Sequence, residues 1–115
     1  MRPIRAVIIT LLLSINIIAG STKGEIEHLL NFVSTTKCKY IRNGTEHTGV
    51  EAKEHISKKY DYYRDKIKTT EDFIRYSATK SELSGRRYKV SCPNQEIQYS
   101  SKWLLDELKS YRDKR

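Results

Sequence analysis

The densest polar chemistry in this chain lies in one stretch, Arg42-Asn43-Gly44-Thr45-Glu46-His47-Thr48-Gly49-Val50-Glu51-Ala52-Lys53-Glu54-His55. If residues 47–55 are helical, His47, Glu51 and His55 recur every four residues along one side. Neutral imidazole and carboxylate are suitable zinc ligands, and the same groups could serve a hydrolase as base and orienting acid. The spacing argues against a single ion, because the two histidines stand two turns apart, about 12 Å along a helix axis. Both could reach one ion only if the helix bends or begins after His47, and Gly49 allows such a later start. No metal ligand set is therefore assigned. Serines and histidines are present, but no G-x-S-x-G elbow or S-x-x-K motif marks a nucleophile. No catalytic residue and no cofactor is assigned.

The same stretch suits recognition better than catalysis. Arg42 offers a planar fork for carboxylate or phosphate, and the amides of an Asn43-Gly44 turn add donors. The alternative is structural: Arg42 pairs with Glu46 or Glu51 and fixes the turn. The candidate binding residues are Arg42, Asn43, His47, Glu51 and His55, joined by Tyr88 if two strands pair across the patch. The expected function is a non-catalytic binding or interaction module. A metal-dependent or hydrolytic enzyme built on His47, Glu51 and His55 is the rival.

These residues need elements to hold them. From Gly24 to Thr36, Ile26, Leu29, Leu30 and Val33 form the i, i+3, i+4, i+7 stripe of an amphipathic helix. Cys38 to Ile41 alternates as a short strand does. Asn43-Gly44 tolerates positive φ and predicts a tight turn. A second helix is expected from about Thr48 to Lys66, with Ala52, Ile56, Tyr60, Tyr63 and Ile67 as its buried line. Thr69 or Thr70 is an N-cap candidate, with Asp72 three residues after Thr69. The helix that follows ends near Tyr76–Ala78. Ser81 to Gly85 reads as a loop. Tyr88 to Cys92 alternates again and stops at Pro93. The last helix is expected from Ser101 to Lys114, capped by Ser100 or Ser101, with Trp103, Leu104, Leu105, Leu108 and Tyr111 on its apolar face. The fold class is mainly α: about four helices, a small two-stranded β pairing between the two alternating segments, and one disulfide.

Composition bounds the setting. Arg2 and Arg5 precede an apolar run that continues, with interruptions, to Ala19, and Ala19-Gly20-Ser21 supplies small residues. That is the pattern of a secretory leader, expected over residues 1–21 and cleaved. It leaves one domain over 22–115, with no membrane-spanning segment, because the apolar run falls short of the roughly 20 residues a spanning helix needs. Removing Arg2 and Arg5 takes the formal charge from +8 to +6. A basic surface favours acidic partners. The expected partner is an envelope protein or an anionic ligand. Export would keep the domain away from nucleic acid, so none is expected. Cys38 and Cys92 make an even pair, which oxidises outside the cytoplasm. Closing the ring of 55 residues from 38 to 92 is worth about 4 kcal/mol by chain entropy.

Four stretches carry a family resemblance: R-N-G-x-x-H at 42–47, E-A-x-x-H at 51–55, T-x-E-D-F-I at 69–74 and S-G-x-x-Y at 84–88. With the order of segments from about Gly24 to Arg112, they make the chain similar to the YfeK-like family of small exported bacterial proteins. The resemblance implies a Gram-negative host, a periplasmic location and a mainly helical fold. It implies no activity.

Overall fold

The computed structural model describes residues 21–115. The leader expected over residues 1–21 lies outside them, apart from Ser21.

Ser21 acts as an N-cap: its hydroxyl accepts the Gly24 N–H at 3.1 Å and opens helix α1, Thr22–Thr35. The stripe Ile26, Leu29 and Val33 is buried, as its spacing requires. Strand β1, Lys39–Arg42, turns back through Asn43 and Gly44 into β2, Thr45–His47. Helix α2 spans Gly49–Tyr62 and is followed by a 3-10 turn at Arg64–Lys66. Helix α3, Thr70–Ser77, starts at a capping box in which Thr69 and Asp72 satisfy each other's backbone N–H groups. Strands β3, Lys89–Ser91, and β4, Gln98–Tyr99, lead into α4, Ser100–Asp113. No helix among the described residues is long and apolar enough to cross a membrane.

The sheet has four strands rather than the expected two, in the order β2-β1-β3-β4, with every neighbouring pair antiparallel. Two local features explain the difference. Asn43 and Gly44 both have positive φ, 50° and 80°, which is what a two-residue hairpin that follows strand twist demands. The chain therefore doubles back, and His47 pairs with Tyr40 instead of entering a helix. After Pro93, Asn94 also takes positive φ, 59°, and the chain returns so that Tyr99 meets Lys89. A strand of two residues is too short to leave an alternation in sequence.

The expected pairing of the alternating segments is present: Lys39 opposes Ser91, Tyr40 opposes Val90 and Ile41 opposes Lys89. This register brings together the residues just outside each strand, and Cys38 and Cys92 are bonded there with their Cα atoms 4.2 Å apart. Tyr40 and Val90 are buried beneath the helices, while Lys39 and Lys89 face outward and are exposed. The helices thus cover one face of the sheet. Tyr40 is fixed by its hydroxyl, which donates to the Ala78 carbonyl at 3.2 Å and accepts from Ser100 Oγ at 2.8 Å. Ser100 is thereby used in the core. Helix α4 starts straight out of β4 with Tyr99 at its N-cap and has no side-chain cap, contrary to the expectation for Ser100 or Ser101.

Two close approaches set the helices. Gly49 opens α2 against the end of α1, and a Cβ there would collide with the Val33 carbonyl oxygen. Glu25, 4 % exposed, joins three helices. Its carboxylate accepts from Arg112 Nε at 2.8 Å and Nη2 at 2.9 Å, and from the Thr70 hydroxyl. Arg115 lies 3.0 Å away, and Arg112 also holds Glu71 at 2.7 Å. The hydrogen bonds from Arg112 outweigh burial and hold the Glu25 carboxyl down at about 2.

Replacing both cysteines by serine is expected to lower the melting temperature by roughly 20 °C, the thermal equivalent of about 4 kcal/mol in a domain of this size; calorimetry of the oxidised and Cys38→Ser/Cys92→Ser proteins measures it. Glu25→Gln is expected to cost about 2 kcal/mol by urea denaturation at neutral pH, since it takes the anion from the partly buried Arg112, from Arg115 and from the buried Thr70 hydroxyl. The folded carboxyl titrates below its ordinary value of 4.5. The wild-type contribution is therefore complete above pH 4.5 and is lost as the pH falls toward 2, and the Glu25→Gln protein should lack this acid dependence.

Candidate functional site

Helix α2 presents His55, Lys58, Lys59 and Tyr62 at spacings of three, one and three residues, so they share one side. Tyr63, its C-cap, follows. The end of β1 delivers Arg42 and the turn delivers Asn43. Tyr88 arrives just before β3, and Ser81, Glu82 and Leu83 close the remaining side. Together they line a cavity of about 510 Å³.

Four of the six expected binding residues line this cavity: Arg42, Asn43, His55 and Tyr88. Glu51 does not. It is the third residue of α2, and its carboxylate accepts the Thr48 N–H at 2.8 Å while its own N–H donates to Thr48 Oγ1 at 3.2 Å. That capping box holds the Glu51 carboxyl below its ordinary value. His47 is also outside the lining, on β2 opposite Tyr40. Because α2 begins at Gly49, His47, Glu51 and His55 do not form a helical row. No three His, Cys, Asp or Glu side chains among the described residues are arranged to hold a metal ion.

Inside the cavity, His55 Nε2 and the Tyr88 hydroxyl are hydrogen-bonded at 3.1 Å, with the rings edge-on. Burial pushes the imidazole down to about 4, and the charges of Arg42 and Lys59 push the same way. The ring is therefore neutral at pH 7. Burial also raises the Tyr88 phenol above its ordinary range. Lys59 donates to the Lys80 carbonyl at 2.7 Å and lies 3.4 Å from Glu82. Its ammonium sits 5.2 Å from the centre of the Tyr88 ring. Burial lowers Lys59, and Glu82 partly restores it. Arg42 and Lys58 have no carboxylate within 4 Å among the described residues. The expected structural pairing of Arg42 with Glu46 or Glu51 is thus not made. Asn43 is fastened instead: its side-chain oxygen accepts from Ser84 Oγ at 2.6 Å.

The arrangement offers a concave, partly apolar surface with three cations, one acid, a neutral imidazole and a protonated phenol. Those groups attract and orient an anion. Lys58, Lys59, Tyr62, Tyr63 and Glu82 were not among the expected residues. Four of these five stand three, four, seven and eight residues after His55, and that helical spacing was the available sign.

A family described only as a family of unknown function, DUF5329, matches residues 20–112. The chain belongs to the DUF5329 family. No curated protein and no solved structure matches the chain. The DUF5329 match spans the whole cavity, from Arg42 to Tyr88, together with both cysteines.

The neutral state of His55 can be read directly. By NMR its ring is expected to titrate near 4, against an ordinary value of 6.5. Arg42→Gln should raise that midpoint while leaving it below 6.5, because burial is the larger cause. Since the folded value is depressed, the contribution of neutral His55 to stability is full above pH 6.5 and is lost as the pH falls toward 4.

Proposed function

We propose that this DUF5329 protein is an exported, non-catalytic binding module of the bacterial envelope that takes an anionic ligand in the cavity between α2, the β1–β2 turn and Tyr88. One observation carries the reading: Arg42 and Lys58 line a cavity of about 510 Å³ and have no carboxylate within 4 Å among the described residues. A cation left unpaired at a concave surface gains more from a charged ligand than from water alone, and an arginine fork adds direction. The residues assigned to binding are Arg42, Asn43, His55, Lys58, Lys59 and Tyr88. His55 and Tyr88 supply neutral hydrogen-bonding groups beside the charges. His47 and Glu51 serve the scaffold.

The setting in this reading is the periplasm. Three things support it: the leader pattern over residues 1–21, the resemblance to the YfeK-like exported proteins, and the disulfide, which is stable in an oxidising compartment.

Titration of the labelled protein with inorganic phosphate and, separately, with galacturonate tests the site. At low salt either anion is expected to move the resonances of Arg42, His55 and Tyr88, and added salt should weaken the response. Arg42→Gln with Lys58→Gln should reduce affinity at least tenfold, given about 1.5–3 kcal/mol for a hydrogen bond to a charged group. Absence of any shift with both anions would remove the proposed site.

A further inference from the structure

Asn43 borders two cavities. The first is the anion pocket on the helix side. The second, of about 260 Å³, lies on the outer face of the sheet, where Asn43 and Gly44 meet Ile41, Arg86, Arg87, Lys89 and Tyr99. Among the residues that line either cavity, Asn43 alone lines both, and Gly44 lines the second. On the outer side, the Arg86 guanidinium reaches over the turn to within 3.6 Å of where a Cβ on Gly44 would stand. Arg87 stacks on Tyr99 at 3.8 Å and donates to Ser101 Oγ at 3.3 Å. Among the described residues neither Arg86, Arg87 nor Lys89 has a carboxylate within 4 Å.

Six cations thus flank one hairpin turn: Arg42, Lys58 and Lys59 on one side, Arg86, Arg87 and Lys89 on the other. Two acids stand near them. Glu82 is held by Lys59, and Glu46 lies on β2 opposite Ile41. Like charges this concentrated repel one another and draw counter-charge from solution. The shape restricts what can supply it. Two hollows on opposite faces of the sheet that share Asn43 at their border are reached together by a flexible chain that wraps the turn, and not by a flat membrane plane. Tyr62, 81 % exposed and edge-on to Tyr63, gives the first cavity an apolar ring against which a sugar can lie, while Tyr99 carries Arg87 in the second. The exported setting proposed above separates the domain from nucleic acid.

We propose that the two cavities are halves of one site for an acidic oligosaccharide that crosses the Asn43-Gly44 turn. This rests on the anion pocket proposed above and extends it to a polymer. Occupying the second half becomes intramolecular once the first is filled, so affinity should rise steeply when the chain is long enough to span both.

Galacturonic acid and its oligomers of two, four and six residues are the probes, measured by isothermal titration calorimetry at fixed low salt. The hexamer is expected to bind at least thirtyfold more tightly than the monomer. Arg86→Gln with Arg87→Gln should reduce that ratio to below threefold, with monomer binding retained through Arg42 and Lys58. Lys89→Gln alone should reduce it in part, and this milder change guards against a loss of structure in the double variant. Monomer binding with no gain in length would overturn the two-part site and leave the pocket standing. No binding by the monomer or any oligomer would overturn the two-part site, and the pocket itself would fall only if inorganic phosphate also failed to bind. A length gain that survives Arg86→Gln/Arg87→Gln, or tighter binding to vesicles of anionic phospholipid than to the hexamer, would also overturn the proposal.

Discussion

The antiparallel register between β1 and β3 is the constraint on which the rest depends. It is held at one end by the Cys38–Cys92 bond and at its centre by Tyr40, whose phenol is buried between Ala78 and Ser100. A slip of one residue would turn Tyr40 outward and drive Lys39 into the core. The same slip would carry Arg42 and the Asn43-Gly44 turn away from Tyr88 and α2. The cavity is therefore a consequence of strand pairing: β1 points its last residue at the helix because its second residue is anchored in the core.

Much of this was legible. The α1 stripe, the Thr69–Asp72 cap, the pairing of the two alternating segments and the disulfide all follow from short-range pattern and residue type. What escaped was encoded differently. Strand β4 has two residues, too few for periodicity to register. Strand β2 is only three residues long, and its one sign is the Asn43-Gly44 turn, which returns the chain alongside the strand it leaves. Glu51 is the instructive case. Thr48-Gly49-Val50-Glu51 has the spacing of a capping box, as Thr69 to Asp72 does, and that spacing commits the carboxylate to the helix end. That spacing takes Glu51 out of the candidate site, and the helical positions that line the cavity lie further down α2, Lys58 and Lys59 among them. The ion pair between Glu25 and Arg112, by contrast, joins residues too far apart for any local pattern to announce.

The charges of the domain fall into two populations. Arg112 and Arg115 neutralise Glu25, and Lys59 is tied to Glu82 and a backbone carbonyl. These cations have their partners within the fold. Arg42, Lys58, Arg86, Arg87 and Lys89 have no carboxylate within reach among the described residues, and they gather around one hairpin. Other cations without a carboxylate within 4 Å among the described residues, such as Lys23, Lys37, Lys53, Lys66, Lys68 and Lys114, stand elsewhere on the domain, so what is particular to the hairpin is that its cations line two cavities and leave a local positive field there. The neutral state of His55 is one internal record of that field, since Arg42 and Lys59 add to burial in suppressing its protonation.

The Glu25 carboxylate has a further consequence for how the chain acquires its structure. Its strongest counter-charge comes from Arg112, 87 positions later. A polypeptide emerging in order, from a ribosome or through a translocation pore, exposes α1 long before Arg112 follows. During that interval the acid has no cation to meet in the fold, and the surface that α4 will cover stays open. The contact by which Glu25 joins three helices is thus completed only after nearly all of the domain has appeared.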